Sequence, residues 1–394
     1  MHFFLALFKD HSVPKGGSGL YHEQMKILIT IENAEMDGTK RAAIKLGNTL
    51  YDQKMDLSFY SLENVAPYFT IKAPLITAAH PAASNVLNFR GSNPYEKYGK
   101  QIADLITYLK YHDFDAVILT AGLLTSFAPL IKKELPQLKL IAWMHNNFKT
   151  YVDQYYVEMH QEFVAGLHAA DAVVTLTDSD LQNYRQINPQ TVKIYNPLTL
   201  APERSADLNR HLIAFTGRIA IEHKGIDLLL AAAQYLPADW KIAIAGSGEP
   251  ADMQRFRNLI TKFDVADKII YRGALKDQAL QEHYESASIF ISTSRWEGMP
   301  LVIGEAMAFG LPVIAMENTG SSEFIQANSY GVLTKPQDVT DFVRILQRFM
   351  QSRFLRRYYG NRSLERISQF APVEIGRQWI ELVKSLSRTY EELV

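Results

Sequence analysis

Glu297 and Glu305, with seven residues between them in Glu297-Gly-Met-Pro-Leu-Val-Ile-Gly-Glu305, are the side chains whose spacing points most directly to chemistry. The preceding run Ala287 to Ser294 is apolar and β-branched, which predicts a buried strand. Pro300 then fits the first turn of a helix, where its missing N–H costs nothing. Glu297 is therefore expected in a strand-to-helix loop, and Glu305 about five residues inside the helix, roughly 8 Å along its axis. That is about the span of a diphosphate. One carboxylate could hold hydroxyls of a hexose and the other those of a ribose, while the free N–H groups of the helix start face phosphate. A loop Glu and a solvated helix Glu explain this segment equally well when it is taken alone.

Cations come from Phe215-Thr-Gly217-Arg218-Ile-Ala-Ile-Glu-His-Lys224-Gly225, which follows a predicted strand and precedes an apolar helix. Arg218 and Lys224 at the carboxyl end of a strand would stabilise the negative charge that grows on a departing diphosphate. Arg grips phosphate through a fork of donors, and Lys acts as a compact point charge. Ala245-Gly246-Ser-Gly248-Glu-Pro250 is a further strand-to-helix turn of small residues, of a kind that recurs in any doubly wound sheet. Thr319-Gly320-Ser321-Ser322-Glu323 also leads into a helix, where phosphate binding and plain N-capping compete.

Earlier in the chain, Asp37-Gly38-Thr39-Lys-Arg41 joins a strand to a helix and is a candidate anion loop. His145 follows the strand Leu140 to Trp143 and could bond a sugar hydroxyl or the backbone. Tyr151, Tyr155 and Tyr156 with Lys149 could face an acceptor or a lipid, or fill the core. Asp178-Ser-Asp180 looks like a metal-binding pair but precedes a helix, so capping explains it better. No histidine pair has zinc spacing, and no metal is expected. Phosphate-loop and serine-hydrolase motifs are absent.

These residues need elements to hold them. With 394 residues, 47% of them hydrophobic, the chain suffices for two domains of ordinary size. A net charge of -1 supplies no global field for nucleic acid. Zero cysteines exclude disulfides and a cysteine nucleophile. No apolar run approaches the roughly 18 to 20 residues of a membrane helix. Residues 1–24, with an apolar start and a Gly-rich stretch, read as an extension outside the fold. Strands are predicted at 26–31, 56–60, 116–120, 139–143, 172–176 and 192–195, then at 212–216, 241–245, 268–271, 288–292 and 312–315. Helical spacing fills the gaps, for example Thr39 to Gln53 and Tyr98 to Tyr111. The alternation predicts two doubly wound α/β domains, 25–197 and 211–370, joined by a linker at 198–210, with the ligand in the cleft between them. The end is helical, and residues 371–394 are expected to pack back on the first domain. Seven arginines between Arg344 and Arg366 form either a solvated face or an attraction to an anionic membrane.

Taken together, Gly217-Arg218 with Lys224-Gly225, Gly246-x-Gly248, Ser294-x-x-Glu297-Gly298, Glu305-Ala-Met307, Gly310-x-Pro312-Val313 and Gly320-x-x-Glu323 resemble the donor domain of retaining GT-B glycosyltransferases of the family 4 type. The resemblance is specific over about 211–335 and weaker over 25–197. It implies that Arg218 and Lys224 bind the donor diphosphate, Glu297 the transferred sugar, Glu305 the ribose and His145 the sugar from the other domain. These four, Glu305 apart, form the implied catalytic set. The implied donor-binding set adds Gly38, Thr39, Gly217, Gly246, Gly248, Arg272, Ser294, Gly298, Met299, Pro300, Leu301, Gly320, Ser321 and Ser322. The resemblance further implies metal-independent, retaining transfer by same-face attack, with a nucleoside diphosphate sugar, UDP above all, as co-substrate and no other cofactor. Two departures stand out: the first-domain loop has one glycine where many relatives have two, and Pro300 replaces a common glycine, deleting an N–H.

The expected function is hexosyl or N-acetylhexosaminyl transfer to a glycan or lipid-linked acceptor in polysaccharide or glycoconjugate synthesis. The expected location is cytoplasmic, with peripheral contact at the inner face of the membrane, and no nucleic-acid partner. A sugar-nucleotide epimerase on the same fold and a non-catalytic partner subunit are the alternatives.

Overall fold

The computed structural model describes residues 25–83 and 89–391. The expected extension over 1–24 lies outside the described residues. The first domain is built on a parallel sheet of β1 (Lys26–Ile31), β2 (Asp56–Glu63), β3 (Leu75–Ala82), β4 (Ala116–Thr120), β5 (Lys139–Trp143), β6 (Ala172–Thr175) and β7 (Thr191–Lys193), in the order β3-β2-β1-β4-β5-β6-β7. The second has β8 (Leu212–Thr216), β9 (Lys241–Ala245), β10 (Ile269–Gly273), β11 (Ile289–Ser292), β12 (Val313–Met316) and β13 (Val332–Thr334), in the order β10-β9-β8-β11-β12-β13. Both sheets are doubly wound: β1 pairs with β2 on one side and β4 on the other, and β8 with β9 and β11. The strand order reverses beside β1 and β8, so a crevice opens at their carboxyl ends.

Two edge strands escape sequence reasoning. β3 reads LITAAHPA and buries only Ala78 fully, so it lacks a continuous apolar signal, and Pro81 is tolerated because the strand is an edge. β13 is three residues long, too short for any periodicity. The central strands are buried on both faces, as their uninterrupted Val, Ile and Ala runs require.

The last helix, Pro372–Glu391, returns to the first domain. Its Ile375, Trp379 and Val383 enter the core formed by β1, the helix Gly38–Asp52 and β5. Trp379 meets Trp143 edge-on, with ring centroids 4.8 Å apart, and both indoles are fully buried. Truncating either to Ala would cost about 3–5 kcal/mol. The arginine-rich stretch divides by role: Arg356 and Arg366 are buried and bond backbone carbonyls, whereas Arg353 and Arg357 are exposed.

The domains touch at several points around the crevice. Glu323 accepts from the Asp178 N–H at 3.0 Å, Lys193 at 2.9 Å and the Tyr195 hydroxyl at 2.6 Å. Leu301 packs against the first-domain core. A Cβ on Gly298 would lie 2.2 Å from the His145 carbonyl oxygen, so the two backbones are in direct contact there.

Candidate active site

The predicted cation and carboxylate segments converge. Lys224 ends a short helical turn, Ile221–Lys224, closed by Gly225 in the left-handed region (φ 60°). Its ammonium is ion-paired with Glu297, and both side chains are mostly buried. Burial pushes the Glu297 carboxyl up, but the Lys224 ammonium and then His223 outweigh it and hold the group well below the usual carboxylate range. Glu297 is thus a fixed anion.

The two loops are stitched together. Thr293 donates to the Lys224 carbonyl at 2.9 Å, Arg295 N–H to the His223 carbonyl at 2.9 Å, and the Arg295 guanidinium grips Asp227 through two bonds of 3.0 and 2.7 Å. His223 bonds the Trp296 carbonyl at 3.0 Å and stacks on the Trp296 ring at 4.8 Å and 7°. Burial, then Lys224, lowers the His223 pKa, so its imidazole is neutral near pH 7 and its Nε2 carries the hydrogen. His223 and Trp296 went unassigned in the sequence although each flanks a motif residue.

Arg218 is exposed beside this pair, and among the described residues its guanidinium has no hydrogen-bond or ion-pair partner. The loop behind it is closely packed. Gly246 adopts φ 153°, and a Cβ there would stand 1.8 Å from the Gly217 carbonyl oxygen. Gly246 and Gly248 are therefore required for backbone packing against Gly217 and Ile219.

Glu305 is sealed off. It lies four residues past Leu301, the start of the helix Leu301–Ala308; Pro300 is the cap rather than the first helical residue. The carboxylate is fully buried and accepts from Tyr284 at 2.8 Å, from Thr199 of the linker, and from Arg41 of the first domain at 2.7 Å. Two of these donors share Oε1 and one is on Oε2, so three of the carboxylate's roughly four acceptor positions are taken.

From the first domain, His145 stands at the end of β5, against the Trp143 ring at 4.2 Å. Both ring nitrogens are buried and, among the described residues, neither has a partner. Burial lowers its pKa to about 3, so the imidazole is neutral, with one donor and one acceptor suited to a hydroxyl.

Several expected donor contacts are committed elsewhere. The Asp37 carboxylate accepts from the Thr39 N–H at 2.7 Å and the Lys40 N–H at 3.4 Å, so the Gly38-Thr39 loop offers an anion a carboxylate instead of open amides. Ser321 forms a capping box with Asn318 and bonds the Met316 carbonyl. Arg272 bonds His283 at 3.2 Å and Ser286 at 3.1 Å. Met299 lies in the second-domain core. Gly320 abuts Pro300 and the Gly298 carbonyl. Ser322 lines a groove between the domains with Asp178 and Glu323. Ser294 is held through its carbonyl by Asn318 at 2.9 Å. The helix Asp178–Arg185 is capped by Thr177, whose hydroxyl accepts from the Asp180 N–H at 3.1 Å, and not by Asp178 or Asp180 as expected; the Asp180 carboxylate accepts from the Phe148 N–H and the Thr177 hydroxyl. Tyr151 and Tyr156 are buried in the core, while Tyr155 reaches the cleft.

Two facing doubly wound domains with a cation–carboxylate cluster between them define a GT-B glycosyltransferase architecture. Residues 200–366 match the model of glycosyl transferases group 1, so the second domain is a domain of that family. The chain is 29% identical over 314 residues to an uncharacterized glycosyltransferase of Haemophilus influenzae, covering 78% of this chain and 85% of that one. It is 25% identical over 372 residues to the amylovoran biosynthesis glycosyltransferase AmsD of Erwinia amylovora, covering 91% and 99%. Among solved structures, Anabaena HepE in complex with UDP superposes with a TM-score of 0.75 at 16% identity, over 92% of this chain and all of that one, which speaks for the fold.

Proposed function

We propose that this chain transfers a hexose or N-acetylhexosamine, with retention, from a nucleoside diphosphate sugar, UDP-linked in the first instance, to a hydroxyl of a glycan or lipid-linked acceptor. The observation that carries the reading is the His145 ring, buried without a partner among the described residues where the first domain touches the Glu297-Gly298 turn. A neutral imidazole and a fixed carboxylate, contributed by the two domains at this backbone contact, suit the hydroxyls of one sugar. Arg218 and Lys224 then meet the diphosphate; one of the three Lys224 donors is spent on Glu297 and two remain. The sugar–phosphate bond breaks as the acceptor oxygen bonds the anomeric carbon on the same face, and the acceptor proton passes to the departing diphosphate oxygen. The two cations supply the positive charge this needs, so the transfer is proposed as metal-independent. That HepE was solved with UDP, and that AmsD serves amylovoran biosynthesis, support the donor and the polysaccharide setting. No helix among the described residues is long and apolar enough to cross a membrane; a lipid-linked acceptor would be met peripherally, at the cytoplasmic face.

Screening UDP-, GDP- and ADP-sugars tests this. UDP and one UDP-sugar should raise the melting temperature, with slow release of UDP that accelerates when an acceptor is added. No binding of any nucleotide, or an epimerised sugar nucleotide as the only product, overturns it.

A further inference from the structure

A wall of side chains runs from the rim of the first domain to the Glu297–Lys224 pair, and nothing in the donor reading uses its outer end. Tyr155 closes a π-helical turn, Tyr151–Tyr155, a rare geometry that sends Tyr151 and Tyr156 inward and Tyr155 toward the cleft. Its hydroxyl accepts from the Trp296 indole N–H of the second domain at 3.4 Å. Trp296 in turn stacks on His223 and precedes Glu297. On the other side, the Arg90 guanidinium lies 3.3 Å over the centroid of the Tyr155 ring. Arg90 is exposed, and no carboxylate among the described residues lies within ion-pair reach of it. A guanidinium stacked flat on a ring keeps its in-plane fork of donors free, and the ring has already fixed its orientation.

We propose that Arg90, seated on Tyr155, is an oxyanion subsite for the acceptor: it takes a carboxylate or phosphate carried by the acceptor glycan, with Tyr155 and Trp296 lining the path to the transfer centre. The proposal rests on the transferase reading for the direction of that path. It adds a substrate class, an acidic acceptor, that the donor site does not specify. The cation is separate from Arg218 and Lys224, so it need not compete for the diphosphate. A charge-assisted bidentate bond is worth roughly ten- to a hundredfold in affinity.

The test is binding to the UDP-loaded full chain, by calorimetry, of three probes: phenyl glucoside, phenyl glucuronide and phenyl glucoside 6-phosphate. At least one acidic probe should bind tenfold or more tighter than the neutral one, and Arg90→Ala should remove that difference while Arg90→Lys restores part of it. Preference for the glucuronide alone assigns a uronic acid; preference for the phosphate alone assigns a phosphorylated acceptor. Equal affinity for all three probes in the parent chain overturns the subsite, as does a preference that survives in Arg90→Ala. A UDP-induced rise in melting temperature in each variant shows that the cleft is intact; absence of that rise in the parent chain would sink the donor reading instead.

Discussion

Gly298→Ala isolates the contact between the domains. The three atoms nearest to a Cβ at this position all belong to the first domain: the His145 carbonyl oxygen at 2.2 Å, the Asn146 Cα at 2.6 Å and the His145 carbonyl carbon at 2.9 Å. Real Cβ contacts essentially never fall below 3.0 Å, so the β5 loop must retreat by about 0.8 Å or more. Gly298 is outside the left-handed region, so alanine adds no backbone strain within its own loop. The methyl group therefore acts as a wedge between Glu297 and His145. A misplacement of about 1 Å costs on the order of a hundredfold in rate. Initial rates of UDP release at saturating donor and acceptor should show kcat down by about that factor, with UDP affinity and melting temperature close to the parent values. Gly99→Ala, whose Cβ would meet nothing within 4 Å, is the companion control and should turn over like the parent. A Gly298→Ala enzyme within twofold of parental kcat would show that this contact is not made during turnover, and the reasoning would fail.

Lys224→Ala removes the cation from a buried carboxylate; the Glu297 pKa should rise, transfer should drop by at least a hundredfold, and stability should fall by about 3–5 kcal/mol. Adding Glu297→Gln to it should recover stability in denaturant titrations without recovering turnover. Arg41→Ala leaves Glu305 buried with only Tyr284 and Thr199, and a loss of about 3 kcal/mol in unfolding free energy is expected; an unchanged midpoint would show that the pair is open in solution. Burial raises the Glu32 pKa from 4.5 to about 7. Between those values the folded chain holds a proton that the unfolded chain releases, so stability falls as pH rises through that window, by up to about 3 kcal/mol. Glu32→Gln should flatten this fall and be the more stable form at pH 8 in urea melts.

What the sequence discloses and what it hides follow from the range of the interactions. The strand-to-helix turns are local: apolar runs, then Gly, Pro and a cap, so β8, β9, β11 and β12 and the loops after them were legible to within a residue or two. Lys224 and Glu297 could be matched because each sits in its own local motif. Glu305 shows the limit. Its depth in a helix follows from counting residues, but its environment depends on Arg41, Thr199 and Tyr284, which come from another domain, a linker and a neighbouring helix. No periodicity encodes such a meeting. The same holds for Asp37, which reads as an ordinary member of an anion loop until its carboxylate is found on the loop's own amides. Helix starts choose between a side-chain cap and a ligand, and composition alone does not say which has won. His145 is the converse case. Its type and place were readable, but its significance comes from two ring nitrogens that have no partner among the described residues in a buried site, where an unmet polar group costs about 1–3 kcal/mol. A fold that keeps such a cost at the seam between its two domains, where Gly298 meets the His145 backbone, fits the proposal that substrate hydroxyls supply the missing partners.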